Sequence, residues 1–247
     1  MTLLMPSRSS EMSTDASVRT ATEADLRVIA EVYLVARDAA AMPPRVHSPN
    51  EVRAWVESWD LAERDVWVAE IDGAVVGFAN LTPTWLDGLY VAPAAQRMGV
   101  GSALLDLAKA VRPDGFGLWV FEVNARARAF YRRHGFLELE RTDGVATEER
   151  APDVKMVWPG AYPLAHYRSL IDDTDLVLGD VLARRAALTR VVQDHKRAIS
   201  AVADPARDTA REQEIVARIA AIVPELGPER VARIMQAIIS ESLDAAR

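Results

Sequence analysis

Apolar residues recur at threes and fours, or at multiples of that spacing, along the stretch from Leu164 to Ala203. The stretch contains one glycine, Gly179, and no proline. This period matches the turn of an α-helix, so the pattern predicts one long amphipathic helix. The repeating positions are Leu164, Tyr167, Ile171, Leu178, Leu182, Leu188 and Val192. Two more helices are predicted, one after Asp204-Pro205 and one opening at Gly227-Pro228 with Val231, Ile234, Met235, Ile238 and Ile239 inward.

Three cations interrupt the long helix: Arg168, Arg185 and Lys196. Arg185 and Lys196 share a face, because eleven residues make about three turns and ~16 Å of axis. Two long side chains at that separation can reach opposite ends of a small dianion. Arg168 lies ~25 Å further back along the axis, so it cannot serve the same ligand within one straight helix. If Arg168 binds a ligand, it serves the pocket of a neighbouring chain, and the helix is then a dimer element.

The three cations are followed by a D-x-x-R-E motif and a late I-I-x-x-S motif. The ordered set is Arg168, Arg185, Lys196, Asp208, Arg211, Glu212 and Ser242. This set resembles the all-helical, AroQ-class chorismate mutases. In that family three helices per chain interlock as a dimer, and the first helix lends its leading arginine to the partner's site. The resemblance implies a homodimer that rearranges chorismate to prephenate.

The same resemblance gives each residue of the set a role. The three arginines would bind the two carboxylates of the substrate, and the lysine would donate to the ether oxygen of the breaking bond. The two acids would take the ring hydroxyl, and the serine would help at a carboxylate. Because the reaction is pericyclic, it requires no nucleophile or metal. Catalysis would come from positioning the substrate and stabilising developing charge.

The sequence departs from the family pattern in two places. The segment between Lys196 and Asp208 is about three residues longer than the pattern. Ala246 also stands where the family usually carries Gln or Glu, a second donor to the ether oxygen. Several alternatives stay open: a slower site, a site completed by Arg247, or a related substrate such as aminodeoxychorismate or isochorismate. A non-catalytic module for dimerisation or metabolite sensing is a further alternative.

Shorter apolar segments, separated by Gly and Pro, occupy the first two thirds of the chain. Helices are predicted after the capping sequences Thr22-x-x-Asp25 and Ser48-Pro49, and again after Gly101. Asp72-Gly73 predicts a hairpin, and residues 142–153 are predicted to form a loop. The predicted strands are residues 18–21, 66–71, 74–81, 85–91, 118–123 and 154–158.

A Q-x-x-G-x-G turn from Gln96 to Gly101 lies between a predicted strand and a predicted helix. Such a turn can close backbone N–H groups on phosphate oxygens at the positive end of the helix dipole. The next strand is followed by N-x-x-A-x-x-F-Y-x-x-x-G-F, from Asn124 to Phe136. The paired motifs resemble the GNAT N-acetyltransferases over residues 17–158. The resemblance implies acetyl-CoA, or another acyl-CoA, in a V-shaped gap between two central strands.

The GNAT resemblance also implies site residues. Tyr131 would be the general acid for the departing thiolate, although an aromatic side chain packed in the core is the alternative. Asp87 is the candidate general base, and a turn residue before Gly88 is the alternative. The implied cofactor-binding residues are Val91, Gln96, Arg97, Met98, Gly99, Val100, Gly101, Ser102 and Asn124. The amine acceptor stays unnamed, because this fold builds its acceptor pockets from variable loops.

Composition narrows the remaining function classes. The chain has 247 residues, a net charge of −7, no cysteine and four histidines without metal-binding spacing. We therefore expect no metal site, no nucleic acid, no membrane and a cytoplasmic location. The predicted fold is an α+β GNAT domain with a mixed central sheet, followed by an all-α three-helix domain. The predicted boundaries are a disordered leader 1–16, a GNAT domain 17–159, a linker 160–163 and a helical domain 164–247.

Overall fold

A computed structural model describes residues 16–199 and 208–246. The chain divides into two compact units, Met1–Tyr167 and Arg168–Arg247. The strands are β1 Ser17–Thr20, β2 Asp65–Ile71, β3 Ala74–Leu81, β4 Leu86–Val91, β5 Phe116–Phe121, β6 Leu137–Arg141 and β7 Asp153–Trp158. The helices are α1 Leu26–Ala39, α2 Pro49–Glu57, α3 Val100–Val111, α4 Ala125–Arg133, α5 Pro163–Ile199, α6 Thr209–Ile222 and α7 Gly227–Asp244. The predicted leader, apart from Ala16, and Arg247 lie outside the described residues.

The strands of the N-terminal unit form two sheets. One has the antiparallel order β1-β2-β3-β4, and the other has the antiparallel order β5-β7-β6. A parallel bridge between Trp85 and Gly117 joins β4 to β5 near their first residues. There the Gly117 N–H donates to the Thr84 carbonyl at 2.9 Å. β4 and β5 are therefore parallel neighbours that pair only where they begin.

Hydrophobic cores lie on both faces of the β1–β4 sheet, because neighbouring residues of a strand point to opposite sides. Phe78 belongs to a core with residues of α1 and α2. The next residue, Ala79, belongs to a second core with residues of α3 and of the β5–β7 sheet. Helices α1 and α2 thus cover one face of the sheet and α3 covers the other.

Local sequence explains most of these elements. Asp72 and Gly73 have φ angles of 51° and 76°, the left-handed pair that a tight two-residue hairpin between β2 and β3 needs. Ser48 and Glu51 form the reciprocal capping box that starts α2. β6 was not predicted from the sequence. Residues 137–141 are Leu-Glu-Leu-Glu-Arg, and both leucines are exposed in the structure, so the strand has no buried apolar face. Pairing with β7, rather than burial of its own side chains, defines this strand.

Asp25 joins the start of α1 to the sheet. Its carboxylate accepts hydrogen bonds from the Thr22 N–H at 2.7 Å and from Arg19 at 2.7 Å and 2.9 Å. Arg19 also donates to Glu70 on the neighbouring strand. The Arg19 hydrogen bond is the largest influence that lowers the pKa of Asp25, and burial opposes it.

We expect Asp25→Asn to lower the free energy of unfolding by about 1–3 kcal/mol near neutral pH, because it removes one of the two carboxylates that pair with Arg19. A carboxyl whose pKa is lower in the folded state stabilises above its unfolded pKa of about 3.9 and loses that contribution as pH falls through the folded value. The difference in the free energy of unfolding between wild type and variant should therefore become smaller at acidic pH. Urea unfolding between pH 7 and pH 3 measures this, with the exposed Glu23→Gln as control. An equal gap at both pH values would contradict the assignment.

The C-terminal unit is helical, as predicted. α5 runs unbroken for 37 residues, so Arg185 and Lys196 do share one helix. α6 packs on α7, whose buried residues are Val231, Met235, Ile239 and Ser242. Ile234, which was predicted to point inward, is exposed, because it lies beside this stripe rather than on it. The division between units falls after Tyr167, within α5, whereas the predicted linker 160–163 stays a prediction.

In the part of the chain that the structure describes, none of the helices combines the length and the apolar character required to cross a bilayer.

Candidate active sites

A cavity of about 1060 Å³ opens where β4 and β5 separate. The two strands pair at Trp85 and Gly117 and then continue into different sheets, so their far ends leave a gap between them. Residues of β4, β5, α1, α3 and α4 line the cavity. The predicted V-shaped gap between the two central strands is therefore present.

The turn from Gln96 to Gly101 lies at one side of this cavity. Gly99 has a φ of 86°, a left-handed conformation that favours glycine, and Arg97 also has a positive φ of 67°. Gly99 is the N-terminal cap of α3, and no side chain caps this helix. The first N–H groups of α3 are consequently left for another acceptor, at the positive end of the helix.

Most residues predicted to bind the cofactor line the cavity. These are Val91, Gln96, Arg97, Gly99, Gly101, Ser102 and Asn124. The Gln96 side chain donates to the Val91 carbonyl at 3.1 Å, which fixes the turn to the end of β4. Two predicted residues do not line it. Met98 is exposed, and the Val100 side chain is buried in the core, so Val100 offers only its main chain.

His134 lines the cavity next to Ser102 and was not among the predicted residues. Its Nδ1 lies 2.9 Å from the Phe130 carbonyl, which can only accept, so Nδ1 carries a proton. In the neutral ring Nε2 then accepts from the Ser102 hydroxyl, 3.1 Å away. The sequence signal for His134 is its place one helical turn after Phe130, within the α4 motif. Arg126 and Arg133 of α4 also line the cavity.

Tyr131 is buried and lines the cavity. Its ring packs against Phe130 and Phe136, with centroids 5.3 Å and 5.4 Å apart. Burial raises the pKa of its hydroxyl well above the ordinary value near 10. The ring thus has a core role, and the hydroxyl stays protonated at neutral pH at the edge of the cavity.

Asp87, near the start of β4, also lines the cavity. The Asp87 carboxylate faces the cavity and is partly desolvated by the surrounding protein, which raises its pKa. The positive charge of Arg64 lowers that pKa and so opposes the shift. A raised pKa brings a carboxylate closer to the range in which it exchanges protons near neutrality.

The loop between β6 and β7 closes one side of the cavity through Glu149. Its carboxylate forms an ion pair of 2.7 Å with Arg37 of α1, and the Arg37 side chain is 5% exposed. Glu148 on the same loop lies 3.0 Å from His47. The loop at 142–152 is thus tied to the segment around α1 rather than free in solvent.

In the C-terminal unit, two residues of the predicted set meet although they are far apart in sequence. Arg185 of α5 donates through Nη1 to the Ser242 hydroxyl at 2.5 Å and to the Ile238 carbonyl at 3.2 Å. The Ser242 hydroxyl donates in turn to the Ile238 carbonyl at 2.6 Å. Helix α7 therefore holds the guanidinium of Arg185 by one edge and leaves its other N–H groups for an anion.

The other predicted residues occupy different positions along the helices. Asp208 is the N-cap of α6 and accepts from the Arg211 N–H at 3.0 Å, so it begins the helix instead of lying on its side. Glu212 is half-buried in the first turn of α6, and Lys196 is half-buried near the end of α5. Arg168 is exposed. The structure thus brings Arg185 and Ser242 together and leaves Arg168 pointing to solvent.

Ala246, the position that departs from the family pattern, is buried. Its carbonyl accepts a hydrogen bond from Arg197 of α5. The last described turn of the chain is therefore fastened to α5 by its backbone, and the side chain at position 246 offers no donor.

Comparison with known proteins gives two separate matches. The family model described as acetyltransferase (GNAT) domain matches residues 62–138, and the model described as chorismate mutase type II matches residues 167–247.

The curated relatives each match less than half of this chain. The uncharacterized N-acetyltransferase YafP of Escherichia coli K12 is 35% identical over a 96-residue alignment that covers 36% of this chain and 61% of YafP. The peptidyl-lysine N-acetyltransferase YiaC of the same organism is 33% identical over 100 residues, 40% of this chain and 66% of YiaC. The chain thus spans less than two thirds of these relatives.

Among solved structures, apo-form YjaB from Escherichia coli has a TM-score of 0.50 and 24% identity, and the match covers 60% of this chain and 99% of YjaB. That likeness concerns the fold alone. Residues 62–138 thus match a GNAT acetyltransferase domain and residues 167–247 a type II chorismate mutase, so the chain carries two separate domain matches.

Proposed function

We propose that this chain is a bifunctional enzyme, an acetyl-CoA-dependent N-acetyltransferase and a chorismate mutase. The observation that supports the first activity most strongly is one cavity that is shared by the uncapped N-terminus of α3, Tyr131 and Asp87. The second activity is supported by the match over residues 167–247 and by the meeting of Arg185 and Ser242.

The residues around the cavity fit a coenzyme A thioester. The left-handed Gly99 turns the chain so that the first N–H groups of α3 can receive a pyrophosphate, and Arg97 adds positive charge. The Val91 main chain and Asn124 would hold the pantetheine arm. Asn124 uses its carbonyl oxygen to cap α4 through the Ala127 N–H at 3.1 Å, so its amide N–H groups are the part that would contact the arm. Acetyl-CoA supplies the acetyl group as an activated thioester.

Two side chains would then move protons. Asp87 would accept a proton from the incoming amine, directly or through water, and Tyr131 would give a proton to the leaving sulfur. The raised pKa of Tyr131 keeps its proton in place until a thiolate develops nearby. Because thiols have a pKa near 8.5, below that of Tyr131, full proton transfer to the thiolate is uphill, so the tyrosine hydroxyl acts by stabilising the charge as it forms on sulfur.

In the mutase half, Arg185 would bind a substrate carboxylate with the N–H groups that Ser242 and Ile238 leave free. Lys196 would stabilise the negative charge at the ether oxygen, and Arg211 would bind the second carboxylate. Asp208 and Glu212 would take the ring hydroxyl. Since Ala246 contributes no donor, Lys196 would carry the ether oxygen alone, which favours a slower mutase or a related substrate.

We also propose that α5 dimerises the chain and that Arg168 completes the site of the partner. The apolar positions that predicted the helix are largely exposed in the single chain; they include Leu164, Ile171, Leu178, Leu182, Leu188 and Val192. A helix that exposes such a face buries it in an assembly.

We expect the purified chain to sediment at about twice its 27.2 kDa, and Leu188→Glu to shift it towards 27.2 kDa, because the variant places a charge in the apolar face. Leu188 is 67% exposed, so the substitution leaves the fold of the chain itself intact. The exposed Arg190→Glu is the control. If the Arg168 side chain completes the site of the partner chain, chorismate turnover should fall in proportion to the fraction of the protein that is dimeric. A wild-type chain that sediments as a monomer would contradict the proposal.

One preparation tests both activities. Loss of chorismate absorbance with prephenate as product establishes the mutase, and thiol release from acetyl-CoA on addition of amines establishes the transferase. Binding of chorismate without turnover would favour the sensing alternative, and turnover of aminodeoxychorismate or isochorismate alone would favour the related substrate. An amino-substituted product would also offer the other domain an amine to acetylate. The cytoplasmic location stays a prediction.

A further inference from the structure

The wall of the cavity nearest α1 and α2 is built from aromatic side chains. This aromatic wall consists of Tyr33, Trp55, Trp59, Phe78 and Tyr90. The rings form one continuous series, with centroid distances from 4.8 Å to 6.3 Å between neighbours. It lies on the α1/α2 face of the sheet, whereas α3 and its phosphate-binding turn cover the other face. The aromatic wall is therefore free to receive the second substrate.

Polar groups are set into the aromatic wall without partners. The indole Nε1 of Trp59 and the Oδ1 of Asn80 are buried, and neither has a hydrogen-bond partner among the described residues. Both residues line the cavity, and their side chains are less than a tenth exposed. Buried polar atoms without partners are uncommon in folded proteins, which points to a ligand that supplies the missing contacts.

Two of the charged residues at this wall, Arg64 and Asp87, are not held in an ion pair within the described part of the chain. The Arg64 guanidinium lies over the Trp59 ring, 5.4 Å from its centroid, just before β2 begins. Asp87 lines the same cavity and interacts electrostatically with Arg64, although the two do not form an ion pair. Arg37 and Glu149 neutralise each other through their 2.7 Å contact. One free positive and one free negative group thus face the ligand.

We propose that the acetyl acceptor is a zwitterionic primary amine with a flat apolar body, that is, an α-amino acid with an aromatic side chain. Its ammonium would lie at Asp87, its carboxylate at Arg64 and its ring against the aromatic wall. This proposal rests on the acetyltransferase function proposed above. It differs from acetylation of a lysine side chain in a peptide, which carries no carboxylate next to its amine.

The chemistry balances with the groups on the page and acetyl-CoA as the second substrate. The amine nitrogen forms a bond to the acetyl carbon, and the carbon–sulfur bond breaks. The ammonium loses two protons in total: Asp87 passes one to solvent, and the other replaces the proton that Tyr131 gives to sulfur. The products are the N-acetyl amino acid and free thiol, with one proton released.

The test compares acceptors that differ in one group each. We would measure thiol release from acetyl-CoA with L-phenylalanine, L-phenylalaninamide, L-alanine and a lysine-containing peptide, and binding of each to the CoA-saturated protein by calorimetry. We expect kcat/KM for phenylalanine to exceed that for its amide by about ten-fold or more, since a charged hydrogen bond is lost in the amide. Alanine should be poorer than phenylalanine, because it leaves the aromatic wall unfilled.

Variants at Arg64 separate recognition from folding. Arg64→Gln should raise KM for phenylalanine towards that of the amide and leave turnover of the amide nearly unchanged. Arg64→Lys keeps the charge and should retain part of the preference. The matched control is Arg27→Gln, an arginine of α1 whose side chain is 88% exposed.

The outcomes distinguish this proposal from the proposed function. Failure to bind CoA would overturn both. CoA binding together with better turnover of the lysine peptide or the amide would overturn the acceptor assignment and leave the transferase standing. CoA binding without thiol release with any of the four acceptors would also overturn the acceptor assignment. So would an Arg64→Gln variant in which kcat/KM falls equally for phenylalanine and for its amide.

Discussion

Replacing Arg185 with alanine should reduce chorismate turnover about 100- to 1000-fold, the usual effect of removing one preorganised charged donor from an active site. Helix α7 fixes the position of Arg185, since Ser242 and the Ile238 carbonyl both accept from its Nη1. Such anchoring reduces the reorganisation needed when a carboxylate binds. The measurement is the rate of chorismate absorbance loss, with prephenate identified as the product.

The neighbouring Arg184 provides a matched control, because it is exposed on the same helix turn and differs only in direction. Arg184→Ala should change turnover less than two-fold. Arg185→Ala should keep its helical circular dichroism, since Ser242 retains its own bond to Ile238 and no buried donor is orphaned. Equal turnover in both alanine variants would remove Arg185 from the site and favour a structural role for its contact with α7.

The helical half was accessible from sequence because its signal is local. A 3.6-residue apolar period specifies a helix wherever it occurs, and α5 extends over most of the predicted stretch. The meeting of Arg185 and Ser242 was implied by family resemblance rather than by spacing, because it depends on how α5 and α7 pack. Asp208 shows what spacing alone cannot decide. The D-x-x-R-E spacing fits one face of a helix, but an aspartate can also cap a helix by accepting from the backbone N–H three residues later, and Asp208 caps α6 in this way.

In the N-terminal half, too, the sequence predicts the features that have a local signal and misses those that depend on packing. The Gln96–Gly101 turn and the hairpin at Asp72-Gly73 follow from backbone conformations that only a few residue types adopt readily, so their sequence signal is strong. β6 has no such signal, because it exposes its leucines and its Glu138 pairs with arginines such as Arg128. β6 is a strand because it pairs with β7, and a pattern within residues 137–141 does not reveal that pairing.

The aromatic wall could not be predicted from any single segment. Trp55 and Trp59 lie on and just after α2, Tyr33 lies on α1, and Tyr90 lies on β4. Each is an ordinary apolar position in its own element, and only the packing of those elements places the rings around one cavity. The proposed acceptor site therefore depends on tertiary packing, whereas the predicted phosphate-binding turn is a run of six consecutive residues.

Tyr131→Phe should lower kcat for acetyl transfer about 100-fold, the lower range for loss of a general acid, while affinity for CoA stays within about two-fold. The phenylalanine ring keeps the contacts with Phe130 and Phe136, so packing is preserved and only the hydroxyl is lost. Because burial raises the pKa of Tyr131, the wild-type enzyme keeps the acid protonated throughout the neutral range. Its rate should therefore rise with pH as Asp87 ionises and fall only in strong alkali, where Tyr131 gives up its proton.

The pH profile distinguishes an acid from a packing residue. Tyr131→Phe should retain the acidic limb, which belongs to Asp87, and lose the alkaline one; Asp87→Asn should do the reverse. Tyr162→Phe is the matched control, since Tyr162 is 71% exposed in the same unit and should leave both limbs in place. If Tyr131→Phe keeps the wild-type kcat and both limbs, its hydroxyl takes no part in acetyl transfer. The departing sulfur would then take its proton from solvent, and the buried ring alone would explain the F-Y pair of the α4 motif.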